Sequence, residues 1–180
     1  MSIQETIKAL QESEASKGPR EPYLNVAGKD TRGVLTVLQF TEKQTLNSGS
    51  ALFPIFKFDE VRPQKEGVVL PAVGSRAANP FMINSKKSQW TMKYARADAK
   101  SFILTVLGFK EADVSPEELG EAMTGILSKE QPFRGMKVGY ETYTKANSNL
   151  VLVAFSHVAG QSAEAIAANR KSLEKDFPTV

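Results

Sequence analysis

Apolar positions along this 180-residue chain change their spacing several times, and each change marks an element. Between residues 2 and 16, Ile3, Ile7 and Leu10 recur at helical intervals. Ser2 stands at a capping position and Glu5 follows three residues later, so the pattern predicts an amphipathic helix. Lys17-Gly18-Pro19 ends it, and the chain reads as extended or loop up to about Asp30. The period then drops to two. Thr31 to Thr41 (TRGVLTVLQFT) is rich in β-branched and aromatic residues and predicts a strand. Asn47-Ser48-Gly49 is a turn signal, and Ala51 to Arg62 predicts a second strand. Pro54 inside it points to an edge position or a bulge. A long connection, 63 to 87, holds Pro63, Pro71, Gly74 and Pro80. Its short apolar pieces, Val68–Leu70 and Phe81–Ile83, could pair on their own. Ser88 to Ala95 (SQWTMKYA) alternates and predicts a third strand.

Helical spacing returns from Asp98 to Phe109, where Phe102, Val106 and Phe109 recur with Ile103 and Leu107 alongside. Ser115-Pro116-Glu117-Glu118 opens another helix, with an N-cap, a first-turn proline and a capping-box glutamate, and Leu119, Met123, Ile126 and Leu127 supply its apolar face. Gly135–Lys145 and Asn149–Val158 predict two more strands, joined by a hairpin at Ala146-Asn147-Ser148. An Ala-rich helix from Ser162 to Lys175 and the tail DFPTV complete the chain. Three strands, helices and two strands, with a helix at each end, is the order of a mainly β, α+β protein. It matches a five-stranded OB-type Greek-key barrel with a helical insertion between strands 3 and 4. The expected organisation is an N-terminal helix and arm (1–30), the barrel (31–158) and a C-terminal helix and tail (159–180).

Composition narrows the function classes. A hydrophobic fraction of 41% supports a folded domain. Cysteine is absent, which removes disulfides, thiolate metal sites and cysteine nucleophiles. Residues 1–17 show no basic segment followed by an apolar one, and no apolar run approaches a membrane span of ~18 residues. The expectation is a soluble protein of the cytoplasm, with no membrane partner. Net charge is only +3, but it is unevenly placed. Residues 61–100 hold eight Lys or Arg against Glu66 and Asp98, a net +6, whereas residues 101–130 carry a net −4. A one-sided positive field attracts polyanions; a solvated surface with segregated charges is the plainer reading.

Catalysis has little material. His157, the sole histidine, falls in a strand and reads as structural or surface. One histidine without cysteine argues against a zinc site, and no phosphate-binding glycine loop, dinucleotide fingerprint or nucleophile elbow occurs. Glu117, Glu118 and Glu121 sit at a helix start, where they favour the dipole. No enzymatic activity, cofactor or metal is expected. Binding has more. Arg76, Phe81, Lys86, Lys87, Trp90, Lys93, Tyr94 and Arg96 interleave cations with aromatics, as proteins that hold single strands do. Trp90 and Tyr94 would share an apolar strand face with Met92, so Trp90 is either core or a stacking platform. Lys93, on the polar face, is the phosphate candidate. Phe53 and Lys57 alternate with Phe56 and Phe58, so either face of the second strand could offer a stacking ring. Lys43, in the loop after the first strand, Lys145 at the last hairpin, and Lys137, pointing opposite to Val138, complete the candidate set.

The run RGVLTVLQFTEKQTLNSGSALFPIFKFDEV resembles the first hairpin of bacteriophage OB-fold single-stranded DNA-binding proteins. There a first strand leads through a Lys-bearing, Ser/Gly-rich turn to an aromatic-rich strand. Val73-Gly74-Ser75, Trp90, Leu107-Gly108 and SKEQPFRGMKVGYETY are similar too, so the likeness covers about residues 31–158. It implies an OB fold, sequence-tolerant binding of single-stranded DNA, and a role in phage DNA replication or recombination in the host cytoplasm. Self-association and contacts with replication or recombination proteins stay open. Two departures stand out: the segment from Ser75 to Trp90 is long, and DFPTV holds a lone acid, Asp176, where many cellular single-strand binders carry an acidic tail. The competing reading is a β-barrel protein-interaction or virion structural domain without nucleic acid. A nuclease is disfavoured by the missing metal ligands.

Overall fold

Two long period-two stretches become the two longest strands. The structure is a computed structural model and describes residues 3–13, 29–44, 49–84, 89–147 and 151–178. Helix α1 (Ile3–Gln11) places Ile7 and Leu10 in the core; residues 14–16 of the predicted helix, and its cap Ser2, lie outside the described residues. Strands β1 (Thr31–Gln44) and β2 (Ser50–Pro63) pair antiparallel over their whole length. β2 alternates strictly enough to assign its faces. Leu52, Phe56 and Phe58 are buried, while Phe53, Ile55 and Lys57 face the other side and are half-buried. Leu35, Val37 and Phe40 of β1 join the buried side.

The connection after β2 carries two short strands, β3 (Arg76–Ala78) and β4 (Phe81–Asn84), and both pair with β2. β3 lies opposite Ile55–Lys57 and β4 opposite Ser50–Leu52. Pro54 stands between these ladders, where its missing N–H costs nothing, and its carbonyl accepts the Asn79 N–H at 3.2 Å. Val68–Leu70 forms no strand; Val69 and Leu70 project from an exposed loop.

The predicted third strand is a helix. α2 (Gln89–Leu107) takes in residues 89–95 and continues through the helix expected from Asp98. Among its described side chains, the buried face runs from Ala97 through Phe102, Ile103 and Val106. Lys93 and Tyr94, a turn earlier, are exposed. The period-two alternation of Trp90, Met92 and Tyr94 therefore falls within a helix and does not mark a strand face. A 3-10 turn (Glu111–Asp113) leads to α3 (Pro116–Ile126), whose capping box forms as predicted: Ser115 Oγ accepts from the Glu118 N–H, and Glu118 accepts from the Ser115 N–H at 2.9 Å. β5 (Lys137–Thr144), β6 (Val151–His157) and α4 (Ala163–Asp176) follow.

All six strands belong to one antiparallel sheet of order β3-β2-β1-β5-β6, with β4 also on β2. The fold is α+β, but the sheet has six strands rather than five and is open: among the described residues β6 does not pair back to β3 or β4. The segment expected as the third strand, Ser88–Ala95, falls in α2 from Gln89 on, and the two short strands come instead from the connection before it. α2 packs against β4, β5 and β6 from the buried side. Phe102 of α2 is central there, stacked on Phe81 at 5.0 Å and edge-on to Phe155 at 4.8 Å and Phe56 at 5.7 Å. The rings of Phe56 (β2) and Phe155 (β6) are 6.2 Å apart, although β1 and β5 lie between their strands. A flat sheet would separate those strands by about 14 Å, so the sheet curls round this cluster.

Two register shifts bend the β1–β2 hairpin, between Val34 and Leu35 and between Val37 and Gln39. At the first, the chains approach so closely that a Cβ on Gly33 would lie 1.8 Å from the Glu60 carbonyl oxygen, which leaves room only for glycine. His157 places Nδ1 3.2 Å from the Thr105 carbonyl, and its ring fills the space beside Gly108 at the end of α2. No helix among the described residues is long and apolar enough to cross a membrane.

Candidate nucleic-acid interface

Residues that oppose each other in an antiparallel ladder share a face. Arg76 opposes Lys57, Lys57 opposes Thr36, and Thr36 opposes Lys137. One row therefore crosses β3, β2, β1 and β5 on the side of the sheet away from α2, spanning about 14 Å. Three of its four members are cationic. Asp59 joins them two residues along β2 from Lys57. Its carboxylate lies 3.0 Å from Lys57 Nζ and 3.7 Å from Lys137 Nζ, and it accepts a hydrogen bond from Thr36 Oγ1. The Asp59 side chain is 15% exposed, so these contacts are shielded more than a surface pair would be. Three cations against one carboxylate leave the row positive.

Both ends of the row are tied to α4. Gln161, just before the helix, accepts the Lys137 N–H and donates to the Lys137 carbonyl at 2.9 Å. Past the other end, the Phe177 ring lies 4.6 Å from the Arg76 guanidinium carbon. Ile166, Asn169, Arg170, Leu173 and Phe177 form the docked side of this helix, and most of its other residues are exposed. Arg170 donates to the Arg134 and Gln131 carbonyls, Asn169 donates to that of Gly135, and the buried Arg134 reaches the Leu38 and Phe177 carbonyls. Burial pulls the Arg134 guanidinium below its ordinary range. Gly135 has φ 88°, and a Cβ there would lie 2.8 Å from the Ile166 carbonyl oxygen, so the contact requires glycine twice over.

Beside the row, an open hollow of about 340 Å³ is lined by Arg32, Glu60, Arg62, Glu141 and Ser156, among others. Phe53 lies on the row's face, four residues along β2, opposite Thr41. Of the predicted binding residues, the structure thus gathers Phe53, Lys57, Arg76 and Lys137. It separates others. Lys93 and Tyr94 are exposed on α2, on the opposite side of the sheet. Arg96 Nε donates to the Ile83 carbonyl at 2.8 Å and anchors α2 to β4. Lys145 is exposed just past the far end of β5. Lys43 belongs to β1 opposite Ala51, not to the following loop. Lys86 and Lys87, and the side chains of Lys43 and Trp90, lie outside the described residues.

Among its described residues, the basic stretch 61–100 does not form one patch. Lys65 pairs with Asp30 at 2.9 Å, Arg62 with Glu60 at 3.2 Å, and Lys100, 7% exposed, with Glu111 at 2.7 Å and the Ser13 carbonyl at 2.6 Å. Sequence reasoning missed Thr36, Asp59 and the part played by α4. Lys57-x-Asp59 on one strand face was the available signal for the acid. No group of three His, Asp or Glu among the described residues is placed to hold a metal. No protein-family model, curated protein or solved structure matches this chain.

Proposed function

We propose that this protein binds single-stranded DNA without strong sequence preference, along the face that carries Arg76, Lys57 and Lys137, and that it acts in phage DNA replication or recombination. The observation that carries the reading is the cationic row. Three basic side chains from three strands align on one face, with Phe53 further along as a stacking ring. The pairings β1–β2, β2–β3/β4, β1–β5 and β5–β6, with α2 entering before β5, support an OB-type barrel left open at one seam. A second reading, a protein-interaction domain, is favoured by the loop bearing Val69 and Val73, which are 79% and 66% exposed.

Anisotropy of a labelled oligonucleotide, titrated at several salt concentrations, separates them. Single strands are expected to bind more tightly than duplex, with affinity falling as salt rises. The triple variant Lys57→Gln/Arg76→Gln/Lys137→Gln should weaken binding of all sequences alike. Its log–log salt slope should be shallower by about 2, from roughly 0.7 for each phosphate that is no longer neutralised. An unchanged slope in the variant removes this face from the interface. Absence of single-strand binding by the unaltered protein leaves the interaction-domain reading.

A further inference from the structure

Two ammonium groups and a hydroxyl that converge on one anion form the donor set that a phosphate attracts. On this face the anion is already present. Lys57 Nζ and Lys137 Nζ stand 3.0 and 3.7 Å from the two carboxylate oxygens of Asp59, and Thr36 Oγ1 donates to one of them. β1, β2 and β5 each contribute one of these donors, so the carboxylate joins three strands at one point. Resting on the reading of this face as a polyanion site, we propose that Asp59 is an internal counter-anion that occupies a phosphate's place and sets how tightly and how long the face holds a strand.

A phosphate that reaches Lys57 and Lys137 comes within a few ångströms of Asp59. Like charges at that separation repel, and the shielding of Asp59 keeps water from cancelling the repulsion fully. Each phosphate is therefore bound against a resident competitor. The same carboxylate keeps both lysines extended across the sheet and the Thr36 hydroxyl aimed when no strand is bound, so the donors need no reordering on arrival. The arrangement suits a binder whose ligand must be released again: the donors are aligned, and affinity is restrained.

Asp59→Asn tests this. The amide keeps the shape and still accepts from Thr36, but it carries no charge. Single-stranded oligonucleotides should then bind roughly three- to tenfold more tightly at low salt, mainly through slower dissociation, with a salt slope steeper by up to ~0.7. The gain should vanish in a Lys57→Gln/Lys137→Gln background, which shows that it acts through those two cations. Thermal melts of every variant guard against misfolding, and Asp59→Ser stands in if the asparagine form melts below the assay temperature. Unchanged or weaker binding by a folded Asp59 variant overturns the proposal and makes the acid a mere support for the lysines. The face itself would still stand if Lys57→Gln and Lys137→Gln weaken binding. If the unaltered protein binds no single strand, the functional reading fails instead.

Discussion

Lys57, Arg76 and Lys137 come from three strands and are scattered over 81 residues of chain, yet ladder register sets them side by side on one face. Lys93, Arg96 and Lys100 come from one helix, within eight residues, and go to three different places. Lys93 faces solvent, Arg96 holds a carbonyl of β4, and Lys100 is buried against Glu111 and the end of α1. Charge that is dense in sequence is dispersed by a helix, whose turn sends neighbours in different directions. Charge that is sparse in sequence is concentrated by a sheet, whose opposed residues share a side. A basic stretch is thus a poor guide to a basic surface where it falls in a helix that docks.

The contrast can be pressed hardest through the packing that separates the two sides. Phe102→Ala removes the ring that joins α2 to β2, β4 and β6. It should lower folding stability by about 3–5 kcal/mol in denaturant titrations. A loss below about 1 kcal/mol would mean that α2 is not what holds the curl of the sheet. A smaller effect is expected at Lys100. Lys100→Ala should cost about 1–3 kcal/mol, because a buried cation's partners are left unmatched, and the oligonucleotide salt slope should not move. A shallower slope would place α2 in the interface after all. The smallest effect concerns Lys65, another member of the basic stretch, through its partner. Hydrogen bonds from Lys65 and from the Thr144 backbone and hydroxyl hold the Asp30 carboxyl below its usual range, against the opposing effect of burial. A carboxyl depressed in the folded state contributes stability above its unfolded value, near 3.9. That contribution is lost as pH falls through the folded value. Asp30→Asn should therefore flatten the stability profile at the acid end of a pH series and lower stability near neutrality. Equal acid sensitivity in both forms would show that Lys65 contributes nothing through this pair.

Much of the secondary structure was legible, because local chemistry dictates it. Ser115-Pro116-Glu117-Glu118 states its cap outright, and the alternation in Ala51–Arg62 states a strand with two faces. Which face is buried was not legible, since Phe53 on one side and Phe56 and Phe58 on the other are equally apolar. Packing against Phe102 decides it. The first turns of α2 read as a strand because apolar and polar types alternate through Gln89–Ala95, a stretch too short to separate a period of two from a helical one. The candidate row depends on register. Register depends on the bulges at Val34/Leu35 and Val37/Gln39 and on Pro54, and spacing in sequence does not reveal which residue of one strand meets which of another. Lys57 and Lys137 were visible as single candidates. Their convergence on Asp59 was not.

Pro54 also has a kinetic consequence. By interrupting the outer ladder of β2, it leaves β3 and β4 as two short hydrogen-bonded units instead of one continuous strand. They are not equally secured. β4 is backed by the Phe81–Phe102 stack and by Arg96 on the Ile83 carbonyl, while β3 has the Arg76–Phe177 contact and the bonds that Gly74 and Ser75 exchange with Phe58. Short units with little buried apolar packing open at lower free energy than the domain as a whole. Of the two, β3 therefore opens more readily, so Arg76, at one end of the cationic row, is held less firmly than Lys57 and Lys137, whose strands are paired along both sides.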